Sequence, residues 1–241
     1  MIAEKAVQQR EKVDLTFRQG AKDCIPTLLG YISIGLAAGI VGVSSHLSVM
    51  EVALLSALVY AGAAQFIICA LMVANSSISA IILTTFIVNL RHFLLSATIA
   101  PEFTKYSLLK NVGIGALLTD ESFGVSSSKI AKGEPINDRW MNGLNITAYV
   151  SWIIACTAGA IFGHMLSNPE AFGFDFALTA MFLALLVLQI ESVLPSKLNH
   201  YLRLILYMAI IMIVLSFFVP SHVAVLISTI IVATIGVVTD K

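Results

Sequence analysis

The stretch VALLSALVYAGAAQFIICALMVANSSISAIILTTFIVNL, residues 52–90, contains no Asp, Glu, Lys or Arg. A helix needs about 20 apolar residues to cross a bilayer, so this stretch is long enough for two crossings. Asn75-Ser76-Ser77 punctuates it. Immediately after it comes Arg91-His92, a cation within what would otherwise be continuous apolar helix.

Working outward, residues 25–50, 140–169, 176–190 and 204–239 are also free of acidic and basic side chains. Hydrophobic residues make up 58% of the chain and charged residues 12%, with mean hydropathy +0.92. A soluble domain carries about 25% charged residues. In lipid every backbone polar group must be satisfied internally, which leaves helices or a closed barrel. Barrel strands alternate apolar and polar residues over about ten positions, whereas these runs are longer and continuously apolar. The chain therefore reads as an all-α integral membrane protein, a bundle of about seven or eight transmembrane helices. Spans are expected at roughly 25–43, 51–74, 78–100, 109–128, 140–164, 175–191, 201–219 and 221–239. Residues 1–24 read as a cytoplasmic N-terminal segment and 25–240 as a single transmembrane domain, with Pro26 suited to a helix start.

Positive residues mark the cytoplasmic side. Lys5, Arg10, Lys12, Arg18 and Lys22 precede the first span, Lys129, Lys132 and Arg139 follow the fourth, and Lys197 and Arg203 follow the sixth. This places both termini in the cytoplasm. Lys105 and Lys110 fit poorly, since eight full crossings put them outside, and the 75–77 turn, nominally inside, carries no positive charge. A re-entrant hairpin in place of spans two and three, with that turn at depth, accounts for it, and spans two and three are read as re-entrant or broken. A 4+4 parallel repeat is a further expectation. Ala38-Gly39-Ile40-Val41-Gly42 resembles Ala158-Gly159-Ala160-Ile161-Phe162-Gly163, Gln65 and Gln189 follow at similar distances, and Leu118-Thr119-Asp120 resembles Val238-Thr239-Asp240.

Ionisable residues inside spans are costly and usually face the protein interior or a water-filled cavity. Arg91 cannot snorkel from the middle of a full third span. Its partner is either a carboxylate of span four, Asp120 or Glu121, or a substrate carboxylate; a permanent ion pair that only fixes packing is the competing reading. Asp120 and Glu121 are adjacent and point about 100° apart on a helix, so one pairs with Arg91 while the other meets a substrate amine or carries a proton. Tyr60-Ala61-Gly62-Ala63-Ala64-Gln65 interrupts span two with two polar residues around small ones. Either it is a close-packing face, or the helix breaks there against a cavity.

Cys24, Cys69 and Cys156 stand singly, and no His or Cys pair has metal-ligand spacing. No nucleophile, phosphate-binding or zinc motif is present. The chain reads as a non-enzyme with no cofactor, metal or nucleic-acid partner.

Three motifs in order carry a resemblance: Tyr60-Ala61-Gly62-Ala63-Ala64-Gln65-Phe66, Asn89-Leu90-Arg91-His92 and Leu118-Thr119-Asp120-Glu121. The chain resembles the AzlC family of branched-chain amino-acid permeases over roughly residues 20–240. The resemblance implies a secondary transporter of the cytoplasmic (inner) membrane that exports valine, leucine and isoleucine, with methionine in some members. It implies coupling to an ion gradient, here expected to be protons, and a small membrane subunit of the AzlD type. A higher oligomer is compatible with it. The alternative class is a channel for small solutes or ions. The candidate site residues are Tyr60, Gly62, Gln65, Asn89 and Arg91 for substrate binding or gating, and Asp120 and Glu121 for proton coupling or the ion pair.

Overall fold

The computed structural model describes residues 15–165, 197–219 and 221–239, with isolated positions between 183 and 195. The expected sixth span (175–191), Gln189 and Asp240 fall outside the described residues apart from those isolated positions. Among the described residues every element is helical: α1 (Phe17–Ser44), α2 (Val49–Leu58), α3 (Gly62–Val73), α4 (Ile78–Ile99) with a 3-10 turn (Ala100–Phe103), α5 (Leu108–Ala116), α6 (Asp120–Ala131), α7 (Asp138–Met165), α8 (Leu198–Ser216) and α9 (Ser221–Thr239). Four of these helices, α1, α4 with its turn, α7 and α8, are long and apolar enough to cross a membrane. The all-helical membrane bundle expected from the charge-free runs is present.

The scaffold is the pair α1 and α7, each of 28 residues. They run parallel and in register: Gly143 of α7 abuts the Phe17 backbone, and Gly163 abuts Ile40. Small residues permit this approach, because helices in lipid associate by close packing rather than by a hydrophobic drive. A Cβ at Gly39 would meet the carbonyl oxygen of Cys156 and the Ala160 nitrogen. The two segments that suggested a repeat, 38–42 and 158–163, therefore lie side by side on parallel helices. α1 begins earlier than the charge-free run suggests. Thr16 caps it through Gln19 N, and Pro26 lies inside the helix rather than at its start. Burial of Gly20 and Cys24 against α7 extends the helix through the proline.

The other elements can be followed by their neighbours along this pair, from a near end, where α1 and α7 begin, to a far end. α2 descends from the far end, with Val52 against Gly42 and the Ala57 carbonyl accepting from Tyr149 Oη at 2.8 Å. α3 then climbs back. Gly62 packs on Trp152, Gln65 reaches Cys156, and Cys69 lies near Ser45. Residues 49–73 thus form a re-entrant hairpin whose tip, Val59-Tyr60-Ala61, lies at mid-depth. The expected break in span two exists, and the chain reverses at it.

α4 is continuous and runs to the near end, where Tyr106 Oη accepts from Asp138 N. α5 rises from there, with Lys110 bonded to Asp138 and the Ile114 carbonyl bonded to Asn145. α6 returns, ending with Lys129 beside Asp23 and over the Trp140 ring. Residues 108–131 are a second re-entrant hairpin, entered from the opposite end, with its tip at Leu117-Leu118-Thr119. A long helix followed by a hairpin therefore occurs twice, α1 with α2–α3 and α4 with α5–α6, in opposite directions.

This path accounts for the two charge misfits. Two spans fold back without crossing, so the 75–77 turn lies at the far end and not at depth as expected, the reversal at depth falling at 59–61 instead, and Lys105 and Lys110 lie at the near end with Arg18, Lys22, Lys129, Lys132 and Arg139. α8 and α9 form an antiparallel pair in which Gly236 meets Leu204.

Candidate functional site

The two hairpin tips face each other across one cleft of about 490 Å³. α1 contributes Tyr31 and Ile34, the first tip Tyr60 to Ala63, α4 Arg91 and His92, the second tip Thr119 to Glu121, and α7 Trp152. Reversing a helix at mid-depth exposes backbone carbonyls and amides that lipid cannot satisfy. At the first tip, Gln65 Nε2 donates to the carbonyls of Val59 at 2.7 Å and Leu55 at 3.4 Å. At the second, Asn145 Nδ2 donates to the Ile114 carbonyl at 3.0 Å. Thr119 then opens α6 in a reciprocal cap with Ser122, whose Oγ accepts from Thr119 N at 2.9 Å.

Tyr31 ties the tips together. Its hydroxyl donates to Glu121 Oε2 at 3.1 Å, lies 3.3 Å from the Tyr60 hydroxyl and contacts Thr119 Oγ1. Edge-to-face rings hold it in place, with Tyr31 on Trp152 at 5.4 Å and Tyr60 on Tyr149 at 4.9 Å. Arg91 Nη2 pairs with Asp120 Oδ2 at 3.0 Å, both side chains about a third exposed. Among the described residues the Arg91 Nε and Trp152 Nε1 donors have no hydrogen-bond partner. His92 lines the same cleft, its Nε2 without a hydrogen-bond partner among the described residues. At the near end Lys129 donates to Glu134 at 2.8 Å, which holds that carboxyl below the usual carboxylate range.

Five of the seven candidate residues therefore line one cleft: Tyr60, Gly62, Arg91, Asp120 and Glu121. Gln65 is buried behind the first tip and satisfies the carbonyl end of α2. Asn89 lies two residues before Arg91 on α4, outside the cleft lining, its Oδ1 without a partner among the described residues. The adjacent carboxylates divide as their 100° separation requires, Asp120 to Arg91 and Glu121 to Tyr31. Sequence reasoning missed Tyr31 and Trp152, which look like ordinary span aromatics. The available signal was a hydroxyl and an indole N–H among glycines and alanines at mid-span.

Cavities bounded by half-helix ends at mid-depth, with charged groups around them, define a class of membrane transport proteins, and relatives place this chain within that class. The chain belongs to the AzlC protein family, whose model matches residues 26–166. It is 32% identical to a membrane protein of Archaeoglobus fulgidus over 71% of this chain and 74% of that protein. It is 29% identical to the inner membrane protein YgaZ of Escherichia coli over 71% and 72%. It is 24% identical to the branched-chain amino acid transport protein AzlC of Bacillus subtilis over 81% and 74%. No solved structure matches. The chain is a membrane transporter.

Proposed function

We propose that this chain is the large subunit of a proton-coupled exporter of branched-chain amino acids in the cytoplasmic membrane. The observation that carries the reading is the opposed pair of hairpin tips. They bring an ion pair, a second carboxylate and a helix amino end around one cleft shared by elements entering from both ends. The Arg91–Asp120 pair latches the second hairpin to α4. Glu121 is assigned to coupling or to a substrate ammonium, since its one hydrogen-bond partner among the described residues is the Tyr31 hydroxyl. The groups facing it are Tyr31 and Cys24 of α1, Tyr60 of the first tip, Arg91 and His92 of α4, and Asp120 beside it. Tyr60 and Gly62 form the first wall, and Gln65 and Asn89 support it. The near end is cytoplasmic, because the lysines and arginines of the described loops flanking α1–α7 gather there. The same charge rule, applied to Lys197, Arg203 and Lys241 of the sequence, supports a cytoplasmic C-terminus. The resemblance to the AzlC family supports a small AzlD-type subunit as partner.

The test is flux of labelled valine from proteoliposomes with and without an imposed pH gradient. Saturable efflux that responds to the gradient is expected. Linear flux indifferent to the gradient would replace the transporter by the channel.

A further inference from the structure

Four helix ends meet at the two tips, and three are satisfied within the chain. Gln65 and Tyr149 serve the carbonyl end of α2, Asn145 serves that of α5, and the Thr119 and Ser122 cap serves the amino end of α6, where Asp120 and Glu121 also add negative charge. The amino end of α3 is different. Its N-cap, Ala61, has no side chain to offer. The amides of Gly62, Ala63 and Ala64 precede the first intrahelical bond, from Gln65 N to Ala61 O at 3.0 Å, and among the described residues no side chain caps them. Ala63 and Ala64 are 2% and 0% exposed. Buried free amides at the positive end of a helix favour an anion.

A second observation points to the same place. Trp152 is 4% exposed, and its indole N–H has no hydrogen-bond partner among the described residues. A buried donor left unpaired costs free energy that a ligand acceptor recovers. The Cη2 and Cζ2 edge of the ring lies against Gly62, where a Cβ would fall 2.9 Å and 3.2 Å from those atoms. The absence of a side chain at Gly62 is what brings the indole to the helix end. Both features line the cleft that holds Glu121. The first wall therefore offers unpartnered donors, and the facing tip offers carboxylate acceptors. The two carboxylates of that tip oppose a dianion such as phosphate.

We propose that the amino end of α3 and the Trp152 indole N–H form a subsite for the α-carboxylate of the substrate. Glu121, across the cleft, takes the ammonium. This deepens the amino-acid reading above and rests on it for the second group.

The test is equilibrium binding to the purified full chain of L-valine, of isovalerate, which keeps the carboxylate and lacks the amine, and of valinamide, which keeps the amine and lacks the carboxylate. Valine is expected to bind at least about tenfold tighter than valinamide, the size of one hydrogen bond to a charged group. Trp152→Phe keeps the ring and removes the donor, and is expected to weaken valine and isovalerate about tenfold while leaving valinamide unchanged. Equal binding of valine and valinamide to the wild type overturns the subsite, as does a Trp152→Phe protein with wild-type affinity for both carboxylates, or a wild type that binds neither. Should the variant not fold, the wild-type series decides alone. Trp152-dependent isovalerate binding with no preference for valine keeps the subsite and removes the amino-acid reading. Valine binding that ignores Trp152 does the reverse.

Discussion

Removing Arg91 perturbs the contact that closes the second hairpin onto α4. Its guanidinium and Asp120 stand 3.0 Å apart. Unit charges at this range attract by roughly 4 kcal/mol at the effective dielectric of a protein site. Both side chains keep about a third of their surface exposed, so screening reduces the figure. A fully buried pair broken on one side costs about 3–5 kcal/mol. The intermediate exposure puts Arg91→Ala and Asp120→Asn near about 2 kcal/mol each. Because either change removes the same interaction, the double variant should lose about 1–2 kcal/mol less than the two costs added together. The assay is unfolding of the four proteins in detergent, paired with valine efflux from loaded cells. Arg91→Ala is expected to insert and to lose efflux. Strict additivity of the single costs would refute the latch, and wild-type efflux by Arg91→Ala would refute its role in transport.

Three further outcomes follow from the packing. Gly39→Ala puts a methyl group into the α7 backbone and should cost about 1–3 kcal/mol, as overpacking does. Gly30→Ala, which meets nothing within 4 Å, should leave the melting temperature unchanged, and the two melts side by side check the helix pairing. Tyr31→Phe removes the hydroxyl shared by Glu121, Tyr60 and Thr119 and should slow valine flux on the order of tenfold, the scale of one lost charge-assisted hydrogen bond, with little loss of folded protein by gel filtration. Lys129→Ala unpins α6 from Asp23 and Glu134 and should lower the melting temperature by about 2–4 °C. Glu134 is held below its unfolded value, near 4.3. Its share of that stabilisation is present above about pH 4.3 and disappears as pH falls through the lower folded value, so the wild-type and Lys129→Ala melts should converge in acid.

The membrane bundle was legible because a run such as 52–90 leaves lipid as the only solvent. The candidate site was legible for the same reason: Arg91, Asp120 and Glu121 are costly in lipid, and the fold gathers them in one cleft. What the residues could not fix was chain direction. The segments 49–73 and 108–131 are each long enough to cross, and their hydropathy is the same whether they cross or fold back. At the first tip the signal was local, with Gln65 six residues after the Val59 carbonyl that it satisfies; at the second the fold-back depends on a distant partner that no local pattern encodes, Asn145 for the Ile114 carbonyl. The charge map held the clue, since Lys105, Lys110 and the uncharged 75–77 turn were all on the wrong side under full crossings. Trp152 escaped notice because its role comes from an unpaired N–H, a property of geometry rather than composition.

The central claim is that two re-entrant hairpins enter from opposite faces and meet at the transport site. Side-specific labelling tests it directly, with single cysteines placed by Ser44→Cys, Ala74→Cys, Ser107→Cys and Ala131→Cys on a background in which the buried Cys24, Cys69 and Cys156 are replaced. The account predicts that a membrane-impermeant maleimide reaches positions 44 and 74 from one face, and positions 107 and 131 from the other. Labelling of 44 and 74 from opposite faces, or of 107 and 131 from opposite faces, would contradict it.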